Sequence, residues 1–78
     1  MNCFERLIKV FNNVFEGEIA TENITASSNL REDIGMNSIG MLYMAMAVEE
    51  EFGIKFTNDD FVGINTVDDV IRCIEGKL

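Results

Sequence analysis

The chain has 78 residues, 14 acidic against 6 basic, and a net charge of −8. That length is a single domain, 1–78, near the lower end of what a hydrophobic core stabilises unaided, and an apolar share of 47% excludes a disordered acidic tail. So negative a surface repels phosphate backbones and anionic lipid, which makes nucleic acid and membrane poor partners and a protein with a basic face the expected one.

A first helix opens at Asn2, a capping residue type, with Glu5 spaced to reach back in a capping box. Phe4, Leu7, Ile8, Phe11 and Phe15 recur at helical spacing and form one apolar face. Glu5, Arg6 and Lys9 interrupt that run, so it is no signal peptide, and a cytoplasmic address is expected. Asn12-Asn13 weakens the pattern and Glu16-Gly17 ends it. From Glu18 to Asn37 no period is sustained, and Ile24, Leu30 and Ile34 are spaced as anchors for a long crossing. Loops of about 20 residues are uncommon in compact domains and are usually functional or disordered. The three anchors favour order.

A second helix is expected from Ser38 to Phe52, with Gly53 as its stop. Its apolar run Met41–Val48 is too short to span a bilayer. At roughly 100° per residue, Met41, Ala45, Val48 and Phe52 share one side, with Met44 at its edge. Ile39, Tyr43, Met46 and Glu50 share another. One stripe buries a helix in a small bundle, so the second is either buried in a central helix or faces a partner through adaptable methionine. Ile54-Lys-Phe56 reads as a short strand without an obvious partner. Thr57-Asn-Asp-Asp60 is a cap signal for a single turn through Phe61, and Thr66-Val-Asp-Asp69 repeats it before a last helix. That helix carries Val67, Val70, Ile71, Ile74 and Leu78 on one face. The expected fold is all-α: a small four-helix bundle of three main helices and a short third, with a long loop between the first two.

The stretch Gly35-Met-Asn-Ser-Ile-Gly40 sets Ser38 at the mouth of the second helix. By residue type Ser38 is a cap, although Asn37 can take that part and free the hydroxyl. A nucleophile is excluded: the G-x-S-x-G elbow needs glycine where Met36 stands, and the chain has no histidine for a relay. The acidic pairs Glu32-Asp33, Asp59-Asp60 and Asp68-Asp69 are adjacent residues, which diverge on a helix. No calcium loop is present. Cys3 and Cys73 suit core filling better than a disulfide framework, and they leave a zinc site almost nothing to use. An enzyme is not expected, and no catalytic or metal-binding residue is assigned. What remains for Ser38 is modification.

The motif Asp33-Ile-Gly35-Met-Asn-Ser38-Ile39, followed by an apolar helix ending Glu49-Glu-Glu-Phe52, resembles the acyl carrier protein family. The likeness runs across nearly the whole chain, including the long loop, the short third helix and the Thr66-Val-Asp-Asp-Val opening of the last one. The resemblance implies 4′-phosphopantetheine moved from coenzyme A onto Ser38 by a phosphopantetheinyl transferase, Asn37 and Ile39 flanking the attachment point. The thiol of that arm would carry acyl groups as thioesters between separate enzymes of fatty acid or polyketide biosynthesis. Acyl-loading and acyl-transferring enzymes with basic docking faces would meet Ile39, Tyr43, Met46 and Glu50 on a monomeric carrier. An acyl chain would need an apolar slot near Val48, Phe56, Phe61 and Ile64, residues that serve equally well as ordinary core. The flanking glycines would leave a bulky transferase room to reach the hydroxyl. Asn37 replaces the family's usual Asp, Ile39 its Leu, and Gly40 and Tyr43 stand where acidic side chains are common. These departures suggest a dedicated carrier, for a polyketide, a modified lipid or an aminoacyl group of the D-alanyl kind. The alternative outside the family is an unmodified acidic helical adaptor.

Overall fold

Helix α1 (Cys3–Phe15) begins where Asn2 Oδ1 accepts the Glu5 N–H at 2.8 Å. The return bond from a Glu5 side chain is not formed, so the cap is a single bond and not a box. The computed structural model describes residues 2–16 and 21–78. The expected helix stop at Gly17 and the loop's start at Glu18 lie outside the described residues; Glu16, just before them, takes the left-handed conformation at φ 50°. The α1 face is rotated slightly from expectation. Leu7, Val10 and Phe11 are buried, while Phe4, Ile8 and Phe15 only lean on the core.

A single 3₁₀ turn (Thr21–Asn23) opens the crossing toward α2 (Ser38–Phe52). Ile24 and Leu30 are buried as anchors, Ile34 is half-buried, and Met36 is an anchor the spacing did not single out. Backbone bonds tie this crossing to the start of the last helix: Leu30 N–H to Asn65 O at 2.9 Å, Val67 N–H to Ser28 O at 3.1 Å, and Asp68 N–H to Ala26 O at 2.8 Å. An isolated antiparallel bridge, Asn29 with Thr66, sits among them. Polar backbone that would otherwise be orphaned against the core is thereby paired. A long loop can then be ordered without belonging to a regular element.

Helix α2 ends at Gly53 in the left-handed conformation, φ 68°, whose N–H reaches Glu49 O at 2.8 Å. The segment after it forms no strand: Ile54 enters the core, and the Phe56 N–H donates to Glu49 Oε2 at 2.7 Å. Helices α3 (Asn58–Gly63) and α4 (Val67–Lys77) both start in full capping boxes, Thr57 with Asp60 and Thr66 with Asp69. The short third helix thus runs past Phe61. Leu78, expected on the inner face of the last helix, is 74% exposed, because it lies beyond the last turn with nothing packed over it.

The described residues therefore form an all-α bundle of four helices. Its centre is Leu7, Phe11, Leu30, Met44, Val48, Val67, Val70 and Ile74, every one fully buried. Met44 is the middle of the buried side of α2 and not its edge. No polar side chain is buried among the described residues.

Candidate functional site

Asn37, not Ser38, caps α2. Its Oδ1 accepts the Gly40 N–H at 2.7 Å, and its carbonyl accepts the Met41 N–H at 2.9 Å. The Ser38 hydroxyl is exposed and takes no hydrogen bond among the described residues, and neither do the backbone N–H groups of Ser38 and Ile39. A hydroxyl stands beside two unspent donors at the positive end of a helix.

The three well-capped helices after the crossing differ at this end. In α3 and α4 a carboxylate neutralises the N-terminus: Asp60 Oδ2 accepts the Thr57 N–H at 2.8 Å, and Asp69 Oδ2 accepts the Thr66 N–H at 3.0 Å. Both carboxyls are held below the usual range: the Asn65 N–H, at 2.9 Å, and then the Thr66 N–H lower Asp69, and the Thr57 backbone N–H and then Lys77 take Asp60 to about 2. The first turn of α2 has no acidic residue, and its cap is the neutral Asn37. An anion on Ser38 would meet open N–H groups with no competing carboxylate in that turn.

A cleft of about 350 Å³ opens directly beside Ser38. Arg31, Met41, Leu42, Phe61 and Val62 complete its walls. Met41 and Leu42 lie one turn below Ser38 on α2, the spacing at which helix residues share a surface. Phe61 and Val62 come from α3, and Phe61 tilts against Phe56 with ring centres 5.9 Å apart. Of the four residues expected to form an apolar slot, only Phe61 lines this cleft. Val48 and Ile64 are closed within the core, and Phe56 packs against its edge.

Arg31, Leu42 and Val62 are functional candidates the sequence reading missed. Helical spacing from Ser38 would have found Leu42; nothing local marks Arg31 or Val62, which reach the cleft only through the fold.

The second stripe of α2 is at the surface: Ile39 is 61% exposed, Tyr43 59% and Met46 65%, with Glu50 beside them. Of the acidic trio at the helix end, Glu49 holds the Phe56 N–H and Glu51 pairs with Arg6 at 3.0 Å, leaving Glu50 without an ion pair among the described residues. Gly40 corrects an expectation. It is buried, and a Cβ there would crowd Asn37 Oδ1 at 3.3 Å and touch Phe15 Cε1 at 3.6 Å, so it lies under the cap and against α1 and does not clear space around Ser38. Cys3 and Cys73 are half-buried free thiols, and burial pushes both pKa values up. Among the described residues no group of acidic or sulfur ligands is placed to hold a metal, and no helix is long and apolar enough to cross a membrane.

Residues 5–74 match the family described as the phosphopantetheine attachment site. The chain is 30% identical over 76 residues to an acyl carrier protein of Coprothermobacter proteolyticus, covering 95% of this chain and 93% of the relative. It is 36% identical over 59 residues to an acyl carrier protein of Nitratidesulfovibrio vulgaris, covering 76% of this chain and 78% of that one. A third relative, acyl carrier protein 3 of Ralstonia nicotianae, is 33% identical over 57 residues, 73% of this chain and 66% of its own length.

Proposed function

This chain belongs to the phosphopantetheine-attachment family and is a carrier of the acyl carrier protein type; from that premise we propose that Ser38 bears the arm. The observation that carries the assignment is the free Ser38 hydroxyl beside two open backbone N–H groups, in a first helical turn without an acid. In the attachment, Ser38 Oγ forms a bond to the β-phosphorus of coenzyme A. The phosphoanhydride bond breaks, and adenosine 3′,5′-bisphosphate leaves. The hydroxyl proton goes to a base on the transferase, since the sequence near Ser38 offers none. The resulting phosphodiester is a single negative charge, which the Ser38 and Ile39 N–H groups and the α2 dipole favour. Bound there, the arm supplies a thiol for thioester exchange.

The protein's own part is presentation, not catalysis. Residues 1–78 act as one monomeric carrier unit in the cytoplasm. Ile39, Tyr43 and Met46 form an apolar landing strip along α2, and Glu50 adds a charge for enzymes with basic faces. Steering of this kind speeds encounter without slowing release, which suits a carrier that visits several enzymes. The cleft of Met41, Leu42, Phe61 and Val62 is where an attached acyl chain finds apolar surface, in place of the deeper residues Val48 and Ile64.

Incubation with coenzyme A and a phosphopantetheinyl transferase tests the assignment by intact mass. The expected result is a gain of one phosphopantetheine in the wild type and none in Ser38→Ala. An unchanged wild-type mass with several transferases, the host's own included, would overturn it and favour the unmodified adaptor.

A further inference from the structure

The cleft beside Ser38 holds one cation, Arg31, whose charge nothing described in the chain neutralises. Ion pairs engage Arg6, Arg72 and Lys77, but the Arg31 guanidinium has neither ion pair nor hydrogen bond among the described residues. Neither acidic neighbour in the sequence pairs with it among the described residues. Asp33 Oδ2 accepts the Asn29 N–H at 2.7 Å, and Glu32, which shares with Arg31 an adjoining hollow of about 150 Å³ that does not include Ser38, makes no ion pair with it among the described residues. The backbone under Arg31 is held firmly: its N–H donates to Asn29 Oδ1 at 2.9 Å, and Leu30 before it is fully buried. A free guanidinium therefore stands on a fixed root at the edge of an apolar cleft.

We propose that Arg31 is the positioning residue for the arm, its guanidinium pairing with the phosphodiester on Ser38 and turning the pantetheine chain into the cleft over Leu42 and Val62. The inference rests on attachment at Ser38. A guanidinium matches two phosphate oxygens at once, which a lysine ammonium does not. Surface ion pairs between free side chains are weak. Here the anion is tethered in the same cleft, and a tether raises its effective concentration to the millimolar range or above. The rest of the surface, at net charge −8, offers the phosphodiester little attraction elsewhere. Arg31 then sets which way the arm leaves Ser38 before any cargo is loaded.

Nuclear magnetic resonance on forms whose mass confirms attachment tests this. On conversion of the apo protein to the free-thiol holo form, the Arg31 Nε–H signal is expected to move, and the movement should shrink as salt is raised. Pantetheine methyl protons should show contacts to Leu42 or Val62. Arg31→Gln should lose those contacts while its apo form melts with the wild type, and Arg31→Lys should recover them only in part. An Arg31 signal that stays still in a mass-confirmed holo protein would overturn the proposal. So would a signal that moves only after a carboxylate-bearing acyl group such as succinyl is loaded, which would assign the cation to cargo. Failure to gain the arm at all would remove the Ser38 assignment first, and this inference with it.

Discussion

Arg6 on α1 places its guanidinium 4.3 Å from the centre of the Phe52 ring at the far end of α2. The same group reaches Glu51 Oε2 at 3.0 Å and the Glu51 carbonyl at 3.1 Å. One side chain thus closes the end of α2 onto α1, stacking on an aromatic face and filling a carbonyl at the helix terminus. Exposed ion pairs contribute about 0.2–1 kcal/mol and cation–π contacts about 0.5–2 kcal/mol. Arg6→Met, which keeps the apolar stem, is therefore expected to lower stability by about 1–2 kcal/mol in urea unfolding. Arg6→Lys should lose part of that, because an ammonium cannot stack and fork together. A midpoint unchanged in Arg6→Met would show that the clamp adds nothing.

The two stripes of α2 should separate folding from traffic. Phe52 is 8% exposed and Tyr43 59%. Phe52→Ala should cost about 3–5 kcal/mol, a large share of the stability of so small a domain. Tyr43→Ala and Met46→Ala should stay within about 0.5 kcal/mol of wild type, as surface changes usually do. Both should nonetheless slow acyl loading by a partner enzyme. Melts and a loading assay on the same preparations decide this, and Tyr43→Ala melting as early as Phe52→Ala would place the stripe in the core.

Asn37 is both cap and neighbour of the attachment point, and its substitutions divide the two roles. Asn37→Ala removes the acceptor of the Gly40 N–H and should cost about 1 kcal/mol. Asn37→Asp keeps the cap and should melt close to wild type. Its added carboxylate should raise the modification rate by transferases adapted to the common Asp-Ser motif. Equal rates for Asn and Asp with a general-purpose transferase would show the departure to be neutral.

Gly40 is expected to tolerate little. A Cβ would stand 3.3 Å from Asn37 Oδ1 and 3.6 Å from Phe15 Cε1. Gly40→Ala gains helix propensity but presses on the cap, so thermal melts should show a small change. Gly40→Leu must displace Phe15 and should lose about 1–3 kcal/mol. A Gly40→Leu protein as stable as wild type would mean that α1 can shift freely at this contact.

Asp60 and Lys77 link α3 to the end of α4 at 2.9 Å. Bonding from Thr57 and Lys77 lowers the Asp60 pKa from 3.8 to about 2, while Asp60 raises that of Lys77 above 10.5. A lowered carboxyl stabilises the fold above its ordinary pKa, and that contribution is lost as pH falls from about 4 toward 2. A raised ammonium stabilises below its ordinary pKa, and that contribution is lost as pH climbs past the raised value. Asp60→Asn should therefore flatten both limbs of a melting temperature–pH curve while leaving in place the acid dependence that the lowered Asp69 contributes. Identical curves for the two proteins would show that the pair has no net effect.

The starts of the helices and the stop of α2 were legible in the sequence because capping is decided within a few residues. Asn37 and Gly53 bound α2, and the Thr57 and Thr66 boxes open α3 and α4, through bonds between groups three or four positions apart. The family motif around Ser38 was legible for the same reason. Helical angle set Ile39, Tyr43 and Met46 apart as a second stripe, and the small size of the domain favoured its exposure over burial, which the packing then decided. The cleft was not legible, since Arg31 comes from the crossing, Met41 and Leu42 from α2, and Phe61 and Val62 from α3. Val48 and Ile64 look as suitable for a slot as Leu42 and Val62 do in hydrophobicity, yet the first pair is sealed and the second is 55% and 84% exposed. Periodicity assigns a residue to a side of its own helix but not to a depth, because depth depends on what another segment lays over it. Gly40 and Leu78 carry the same lesson, one covered by Phe15 and the other covered by nothing. Local hydrogen bonding wrote the elements into the chain; only packing between distant segments decided which apolar side chains became core and which became the wall beside Ser38.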